Sequence, residues 1–119
     1  MNKTLRLFVS ASLLWNIYLV IGVINNQSYA FRRAAGGQFT SFPTGIRVAY
    51  VITLVILLYQ TLLLLGNQSA PHWVLTAMFV MELLSVLVNA ISRSPLERWN
   101  AIPAAIIAYV VYRRRKAGN

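Results

Sequence analysis

The residue in this sequence best suited to chemistry is Glu82, because an acid stands there in the middle of a long apolar run. It is the tenth of the nineteen residues from Trp73 to Ile91. In a membrane helix that position is near the bilayer midplane, where a charged side chain costs about 2.5–3.5 kcal/mol on insertion scales. A carboxyl group in such a place can carry protons or bind a cationic substrate. Glu82 is therefore the first candidate for a functional group.

Glu82 shares one helix face with two further polar residues. Ser85 and Asn89 follow it by three and seven positions, which places all three on one stripe of an α-helix. Asn16 in the first apolar run and Gln60 in the second could face that stripe. We take all five residues as candidates for coupling to a proton or a ligand. They could instead serve only to join helices, through hydrogen bonds worth about 0.6 kcal/mol each on average.

The remaining side chains offer little to an enzyme. The sequence has no Cys and no Asp, and its one His is His72. The lack of Cys excludes disulfides, thiolate metal sites and iron–sulfur clusters, and the lack of Asp excludes aspartyl chemistry. There is no Gly-rich phosphate loop after a strand, and His72 has no paired nucleophile motif. We therefore predict no enzymatic activity, no catalytic residue, no metal and no cofactor.

The composition excludes a soluble protein. Of the 119 residues 58% are apolar and 11% are charged, whereas a soluble domain carries about a quarter charged residues. Eleven Lys and Arg against two acids give a formal charge of +9, which at first suggests nucleic acid as a partner. A nucleic-acid-binding domain, however, spreads its bases over a water-facing surface, and these lie between long apolar runs. The composition predicts a membrane protein without a nucleic-acid partner.

Four apolar runs position these residues. A helix needs about 20 apolar residues to cross a bilayer, and we predict transmembrane helices at about residues 5–25, 46–66, 72–92 and 95–115. The fold class that follows is an all-α integral membrane bundle of four transmembrane helices. A chain of this length allows only one compact unit, so residues 1–119 are predicted to form a single domain.

The start of the fourth helix carries a capping signal. Ser94 can act as the N-cap, Pro95 suits the first helical position, and Glu97 can return a hydrogen bond to the cap. A helix from Pro95 to about Lys116 would be roughly 33 Å long, which is enough to cross.

The prolines mark the other boundaries. Pro71 suits the start of the third helix, and Pro43 precedes the second. Pro103 falls inside the fourth span, where it leaves the carbonyl of Trp99 without its helical partner. We therefore predict a bend near the start of the fourth helix.

Basic residues cluster in the loop at about residues 25–45 and in the C-terminal tail. The loop mixes arginines with aromatic side chains, which suits the headgroup layer, so we expect it to lie along the membrane surface. A docking surface for a partner is the alternative. Each base near an anionic surface is worth about 1 kcal/mol, which predicts lipids with anionic headgroups as partners. The predicted headgroup contacts are Arg32, Arg33, Arg113, Arg114, Arg115 and Lys116.

The bases also bear on orientation. Four crossings place both termini on one side of the membrane, which then holds six bases against five on the other. The positive-inside rule favours cytoplasmic N- and C-termini by this margin. So small a difference also permits dual topology, in which one sequence inserts both ways and forms antiparallel dimers.

The segment Ser92-Arg93-Ser94-Pro95-Leu96-Glu97-Arg98, followed by Pro103, resembles a segment of small, uncharacterised four-helix integral membrane proteins of actinobacteria. In those proteins a Ser-Arg-Ser-x-x-Glu-Arg turn opens the last helix. The resemblance covers about a dozen residues, together with the length and hydropathy of the chain. It implies a multi-pass protein of the bacterial cytoplasmic (inner) membrane with the same four-helix layout, and it implies no activity.

In design the chain is also similar to the small multidrug resistance transporters, which are of like size and depend on one buried Glu. The Glu of that family lies in the first helix, whereas the first run of this sequence has Asn16 and no acid. The similarity is therefore one of design and not of descent.

Two functional hypotheses follow. The first is an accessory or assembly protein, whose polar stripes bind other helices in a homo-oligomer or in a membrane-protein complex. The second is a small proton- or cation-coupled transporter or channel that uses the buried carboxylate of Glu82. The hypotheses differ in where the polar side chains point, because an assembly protein turns them toward a partner and a transporter toward an internal cavity.

Overall fold

A computed structural model describes residues 1–66 and 68–117, and within them the chain is all helical. This confirms the predicted all-α class. Of the predicted domain 1–119, Asn67, Gly118 and Asn119 lie outside the described residues. The helices are α1 (Lys3–Ile24), α2 (Thr44–Leu65), α3 (His72–Ala90), α4 (Pro95–Arg98) and α5 (Ala101–Lys116), with short 3-10 turns at Ser28–Ala30 and Ala35–Gly37.

The first three long helices, α1 to α3, are long and apolar enough to cross a membrane. At 1.5 Å per residue the 22 residues of α1 and of α2 each span about 33 Å, slightly more than a bilayer's hydrocarbon core. The molecule measures 44 × 24 × 23 Å along its principal axes. These helices agree with the predicted spans to within about two residues at each end.

The predicted fourth span is not one continuous helix. It is divided into α4 and α5 by a turn at Trp99 and Asn100. The cause is Pro103, which has no N–H to donate to the Trp99 carbonyl, so that this carbonyl accepts from Ile102 instead, at 3.2 Å. The predicted bend is therefore a two-residue break, and α5 alone has 16 residues, about 24 Å.

Local signals start the helices. The side chain of Asn2 accepts a hydrogen bond from the Leu5 N–H at 2.7 Å and caps α1. Pro43 and Pro71 occupy the N-cap positions of α2 and α3, as predicted. Ser94 caps α4 by accepting from the Glu97 N–H at 3.5 Å.

The order of packing leaves α2 and α3 at the two edges of the bundle. α1 packs against both α2 and α5, and α5 packs against α3. Asn100, Ala104 and Ala108, which form one row of small and polar side chains, are all buried, so α5 approaches its neighbours closely. α5 is thus central, and a space remains between α2 and α3.

The half of the bundle near the chain termini is filled by apolar side chains. Those with at most 1% exposure there are Val9, Leu13, Leu63, Leu64, Leu75, Ile107 and Val111. They belong to one hydrophobic cluster to which all four long helices contribute. This half therefore has a solid core, and the space between α2 and α3 lies in the other half.

The segment between α1 and α2 folds back onto the bundle. Val23, Ala30, Ala34 and Phe42 form a small hydrophobic cluster there, against which Tyr29, Phe31 and Phe39 pack. The aromatic residues therefore form the core of this segment, and its position along the membrane surface stays a prediction. We call residues 25–43 the cap segment.

Tyr29 fastens the cap segment to α1. Its ring stacks on that of Tyr18 with centroids 4.2 Å apart, and its hydroxyl donates to the Tyr18 carbonyl at 2.7 Å. A Cβ atom on Gly22 would stand 2.5 Å from the Tyr29 ring, so this approach requires glycine. α2 consequently begins at Thr44, directly after the cap segment.

Arginines satisfy carbonyl groups at the ends of the helices. Arg47 donates to the Ile24 carbonyl at the end of α1, at 2.7 Å. Arg6 donates to Leu65 at the end of α2, also at 2.7 Å. The carbonyl groups in the last turn of a helix have no partner within the helix, and a cation there also interacts favourably with the negative end of the helix dipole. Some of the basic residues therefore satisfy the carbonyl groups at helix ends.

Candidate functional site

The polar residues singled out in the sequence meet around one cavity. Its volume is about 270 Å³, and its lining includes all five candidates: Asn16 of α1, Gln60 of α2, and Glu82, Ser85 and Asn89 of α3. The stripe on α3 thus faces α2 across the space between the two edge helices. The cavity has room for about nine water molecules at the volume each occupies in the liquid.

Glu82 and Gln60 form the deep end of the cavity. The Gln60 Nε2 amide donates to Glu82 Oε1 at 2.9 Å, and both residues are buried, Gln60 completely. Gln60 Oε1 is buried and accepts no hydrogen bond from the described residues. A buried acceptor left without a partner costs about 1–3 kcal/mol.

Asn89 and Ser85 line the cavity one to two turns nearer the cap segment. The Asn89 amide donates to the Ser85 carbonyl at 2.7 Å and to Ser85 Oγ at 3.2 Å. These bonds use the donors of Asn89 within its own helix. Asn16 stands on the cavity wall from the α1 side.

The cap segment and α4 border the upper end of the cavity, which is the end nearest the cap segment. Arg33, Ala34, Glu97 and Asn100 all contribute to its lining. The Asn100 amide donates to the Arg33 carbonyl at 2.6 Å and accepts from Trp15 Nε1 at 2.9 Å. One side chain thereby joins the cap segment, α1 and the α4–α5 turn.

Glu97 joins the cap segment to α4 and does not form the predicted capping box. Its carboxylate accepts the Gly36 N–H at 3.1 and 3.2 Å and also accepts from the Ser92 hydroxyl. Its side chain therefore reaches the cap segment and not the N–H of Ser94, which donates to Ser92 Oγ instead. The predicted N-cap is confirmed, and the predicted return bond from Glu97 is wrong.

Gly37 allows this junction to close. Its φ of +69° is one that side chains with a Cβ rarely adopt, and a Cβ there would stand 2.5 Å from Ser94 Cβ. The Ser94 hydroxyl also donates to the Arg32 carbonyl. The cap segment is thus tied to the α3–α4 junction by contacts of both backbone and side chains.

A second, larger groove of about 680 Å³ shares part of the cavity wall. Tyr50, Met81, Ser85, Asn89 and Glu97 line both spaces. The groove also borders Leu84, Val88 and Ile91, which are 57%, 61% and 71% exposed. The cavity is therefore bordered by the outer, apolar face of α3 near the cap segment.

The predicted headgroup residues lie in two kinds of place. Arg32 and Lys116 are exposed, and Arg113 is exposed with its guanidinium 5.8 Å from the centre of the Tyr109 ring. These three positions leave the charged group free to meet a surface. They agree with what a headgroup contact requires.

The other three predicted headgroup residues are engaged within the protein. Arg114 donates to the carbonyls of Leu63 and Gln68. Arg115 donates to Thr76 Oγ1 at 2.7 Å, which ties α5 to the start of α3. Arg33 lines the cavity, with its guanidinium 5.7 Å from the centre of the Trp15 ring.

Asn100 and Arg33 line the cavity although neither is among the five candidates for coupling. The sequence predicted Arg33 only as a headgroup contact. Their contacts join residues 67 and 85 positions apart, and local patterns carry no signal over such distances. Within the described residues no three His, Cys, Asp or Glu side chains are grouped so as to hold a metal ion.

Comparison of the chain with protein-family models, with curated proteins and with solved structures found no match. The resemblance of residues 92–98 to a segment of actinobacterial membrane proteins therefore stays a prediction.

Proposed function

We propose that this protein is a small proton- or cation-coupled transporter or channel in which Glu82 takes up the ion. The observation that carries the proposal is the position of this carboxyl group. It lines a polar cavity inside the bundle, accepts one hydrogen bond, from Gln60, and has no cationic partner among the described residues. A buried acid that is neither paired nor saturated is well placed to bind and release a proton or another cation.

The charges around Glu82 are few. The other titratable groups on the cavity wall are Arg33 from the cap segment, Tyr50 from α2 and Glu97 from α4. Glu97 already accepts hydrogen bonds from the Gly36 N–H and the Ser92 hydroxyl. Two carboxylates against one guanidinium leave the cavity with a single uncompensated negative charge when both acids are ionised. Such a cavity favours a monovalent cation.

The direction of the polar side chains supports transport over assembly. An assembly protein would need its polar stripes on the outside, whereas Glu82, Ser85 and Asn89 line the cavity between α2 and α3. The outer faces of the edge helices are apolar, as lipid contact requires. Large apolar side chains exposed on α2 and α3 include Val48, Val51, Ile52, Val55, Leu58, Leu62, Val80, Leu83, Leu84, Leu87 and Val88.

The two halves of the bundle support a mechanism of one-sided access. The cavity extends from the cap segment to Glu82, and the apolar core fills the half beyond it. An ion that reaches Glu82 from the cap side is thus stopped by packed side chains. α2 packs mainly against α1, and α3 packs mainly against α5. These two edge helices would have to move to release the ion to the opposite side.

We also propose that α4 and α5 complete a fourth crossing. Arg114 near the end of α5 contacts the Leu63 carbonyl of α2, so α5 ends at the same level as α2. At its other end α4 contacts the cap segment through Glu97 and Gly36. If α2 crosses, α4 and α5 together therefore cover the same depth. With four crossings both termini lie on one side, and the margin of six bases to five favours the cytoplasm of a bacterial inner membrane.

The test is proton flux into liposomes that contain the purified full-length protein. The vesicles hold a pH-sensitive dye, and valinomycin with K⁺ on both sides fixes the membrane potential while the outside is acidified. We expect acidification well above that of protein-free vesicles, and we expect Glu82→Gln to reduce it to the protein-free rate. The reason is that an amide cannot take up a proton at this pH.

Leu83→Ala is the matched control, because it changes the next residue of α3 at a position that is 47% exposed. It is expected to keep the flux of the unchanged protein. Equal flux in the Glu82→Gln variant, or no flux in protein that is folded, would overturn the proposal in favour of the assembly hypothesis. A specific partner that copurifies in stoichiometric amount would support that second hypothesis.

A further inference from the structure

The deep end of the cavity offers more hydrogen-bond acceptors than donors. The Gln60 amide donates one of its two N–H groups to Glu82, and its oxygen, Oε1, is left buried and unpartnered among the described residues. The carboxylate of Glu82 contributes only acceptors when ionised. Three oxygen atoms, two from Glu82 and one from Gln60, therefore have capacity for a ligand that donates.

Most donors of the wall belong to other residues. Asn16 and Tyr50 line the cavity from α1 and α2, and the Asn89 amide is occupied by Ser85. Arg33 is at the upper end, over the Trp15 ring. An anion would have to approach the Glu82 carboxylate to fill the deep end, and the two negative charges would repel.

A bare metal cation fits the deep end poorly. Hard cations such as Mg²⁺ and Ca²⁺ take six or more oxygen ligands at short, fixed distances. The Glu82–Gln60 pair supplies three side-chain oxygens, and the backbone carbonyls around Glu82 belong to the interior of α3. A polyatomic cation, whose hydrogen atoms are covalently bound and need only acceptors, fits the deep end better.

The rest of the lining is apolar. Leu19, Val20, Ile56, Leu57 and Met81 surround the space next to the polar pair. With about 270 Å³ the cavity is near the small end of ligand sites, which run from about 300 to 1,000 Å³. It would hold a compact group beside the charged one.

We infer that the deep end of this cavity binds a small primary ammonium cation, whose three N–H groups donate to the two oxygens of Glu82 and to Gln60 Oε1. The inference rests on the proposed function and names the class of ion that the same site accepts. An R–NH₃⁺ group has three donors and no acceptor, like the side chain of Lys. Its charge opposes that of Glu82, and it gives the buried Gln60 oxygen the partner that the protein itself does not supply.

The experiment compares cations that differ only in their N–H groups. Methylammonium is titrated into the purified full-length protein in detergent and followed by calorimetry, at a pH where it is charged and at constant ionic strength. Tetramethylammonium carries the same charge with no N–H donor, and Na⁺ tests a bare metal ion. We expect heat of binding from methylammonium, displacement by ammonium, and no competition from tetramethylammonium or Na⁺.

Two variants locate the site. Glu82→Gln is expected to abolish methylammonium binding. Gln60→Met keeps the length of the side chain but removes its acceptor, and it is expected to weaken binding by about tenfold or more, since a hydrogen bond to a charged group is worth that factor. Gln27→Met makes the same change at an exposed position of the cap segment and should leave the affinity unchanged.

The outcomes separate this inference from the proposed function. Glu82-dependent proton flux without methylammonium binding would overturn the inference and leave the function standing. Equal competition by tetramethylammonium or by Na⁺ would also overturn it, and this result depends on no variant. Absence of both flux and binding in folded protein would remove both proposals.

Discussion

The two acidic residues of the chain occupy the two most different polar environments in the molecule. Both are buried, Glu82 at 5% and Glu97 at 7% exposure. Glu97 accepts from the Gly36 backbone and the Ser92 hydroxyl at the junction of the cap segment with α4. Glu82, in the middle of α3, accepts only from Gln60 among the described residues, and it borders the same cavity.

The two carboxylates differ in how many hydrogen bonds they accept from the protein, and not in burial. A carboxylate whose oxygens are filled by groups of the protein fixes the local structure and has little left for a ligand. A carboxylate that accepts fewer hydrogen bonds and lies beside a cavity contributes less to stability and can still bind a ligand. Removal of Glu97 should therefore harm the fold, and removal of Glu82 should harm only the function.

The largest effect on stability is expected from Glu97→Ala. The change leaves the Gly36 N–H and the Ser92 hydroxyl without their acceptor, at a cost of about 2–3 kcal/mol in the free energy of unfolding. Unfolding in detergent micelles with increasing SDS would measure it. Glu97→Gln keeps one acceptor oxygen and should recover part of the loss. A loss in Glu97→Ala no greater than in Glu82→Gln would break the distinction between the two acids.

A smaller loss is expected from Gly37→Ala at the same junction. The new Cβ would stand 2.5 Å from Ser94 Cβ at a backbone φ of +69°, which costs about 1–2 kcal/mol. The matched control is Gly45→Ala in the first turn of α2, where a Cβ meets no atom within 4 Å. The control should hold or slightly raise the melting temperature, because alanine favours the helix. Equal melting temperatures for both variants would contradict the close contact between the cap segment and α4.

The smallest effect on stability is expected from Glu82→Gln. The new amide can accept from Gln60 as the carboxylate does, and its NH₂ can reach the unpartnered Gln60 oxygen. The free energy of unfolding should therefore stay unchanged or rise by up to about 1 kcal/mol. The same SDS titration measures it. A loss above about 1 kcal/mol would mean that Glu82 stabilises the bundle in the way that Glu97 does.

The sequence predicted the elements that depend on neighbouring residues. Pro43, Pro71 and Ser94 mark helix starts because capping acts within a few residues. The stripe of Glu82, Ser85 and Asn89 faces one side because the helical period places it there. From these rules alone the residues around the cavity could be chosen, although not the fact that α2 and α3 leave a space between them.

Contacts between distant parts of the chain could not be predicted. The cap segment was expected to lie along the membrane because arginines beside aromatic residues suit that layer. In the structure Glu97 and Asn100 hold it to the bundle across 61 and 67 positions. The arginines at helix ends were also missed, since Arg47 and Arg6 find their carbonyl acceptors only after the helices are packed.

The fastening of the cap segment by α4 has a consequence for the order of assembly during synthesis. The ribosome delivers the chain from its N-terminus at about 5–20 residues per second, so α1 and α2 emerge before the residues that hold the segment between them. Glu97, which accepts the Gly36 N–H, is synthesised 61 residues after Gly36, which corresponds to about 3–12 s. The upper wall of the cavity therefore forms only after α1, α2 and α3 have been synthesised, and a ribosome-bound chain that stops before Ser94 carries Glu82 in an unfinished, open site.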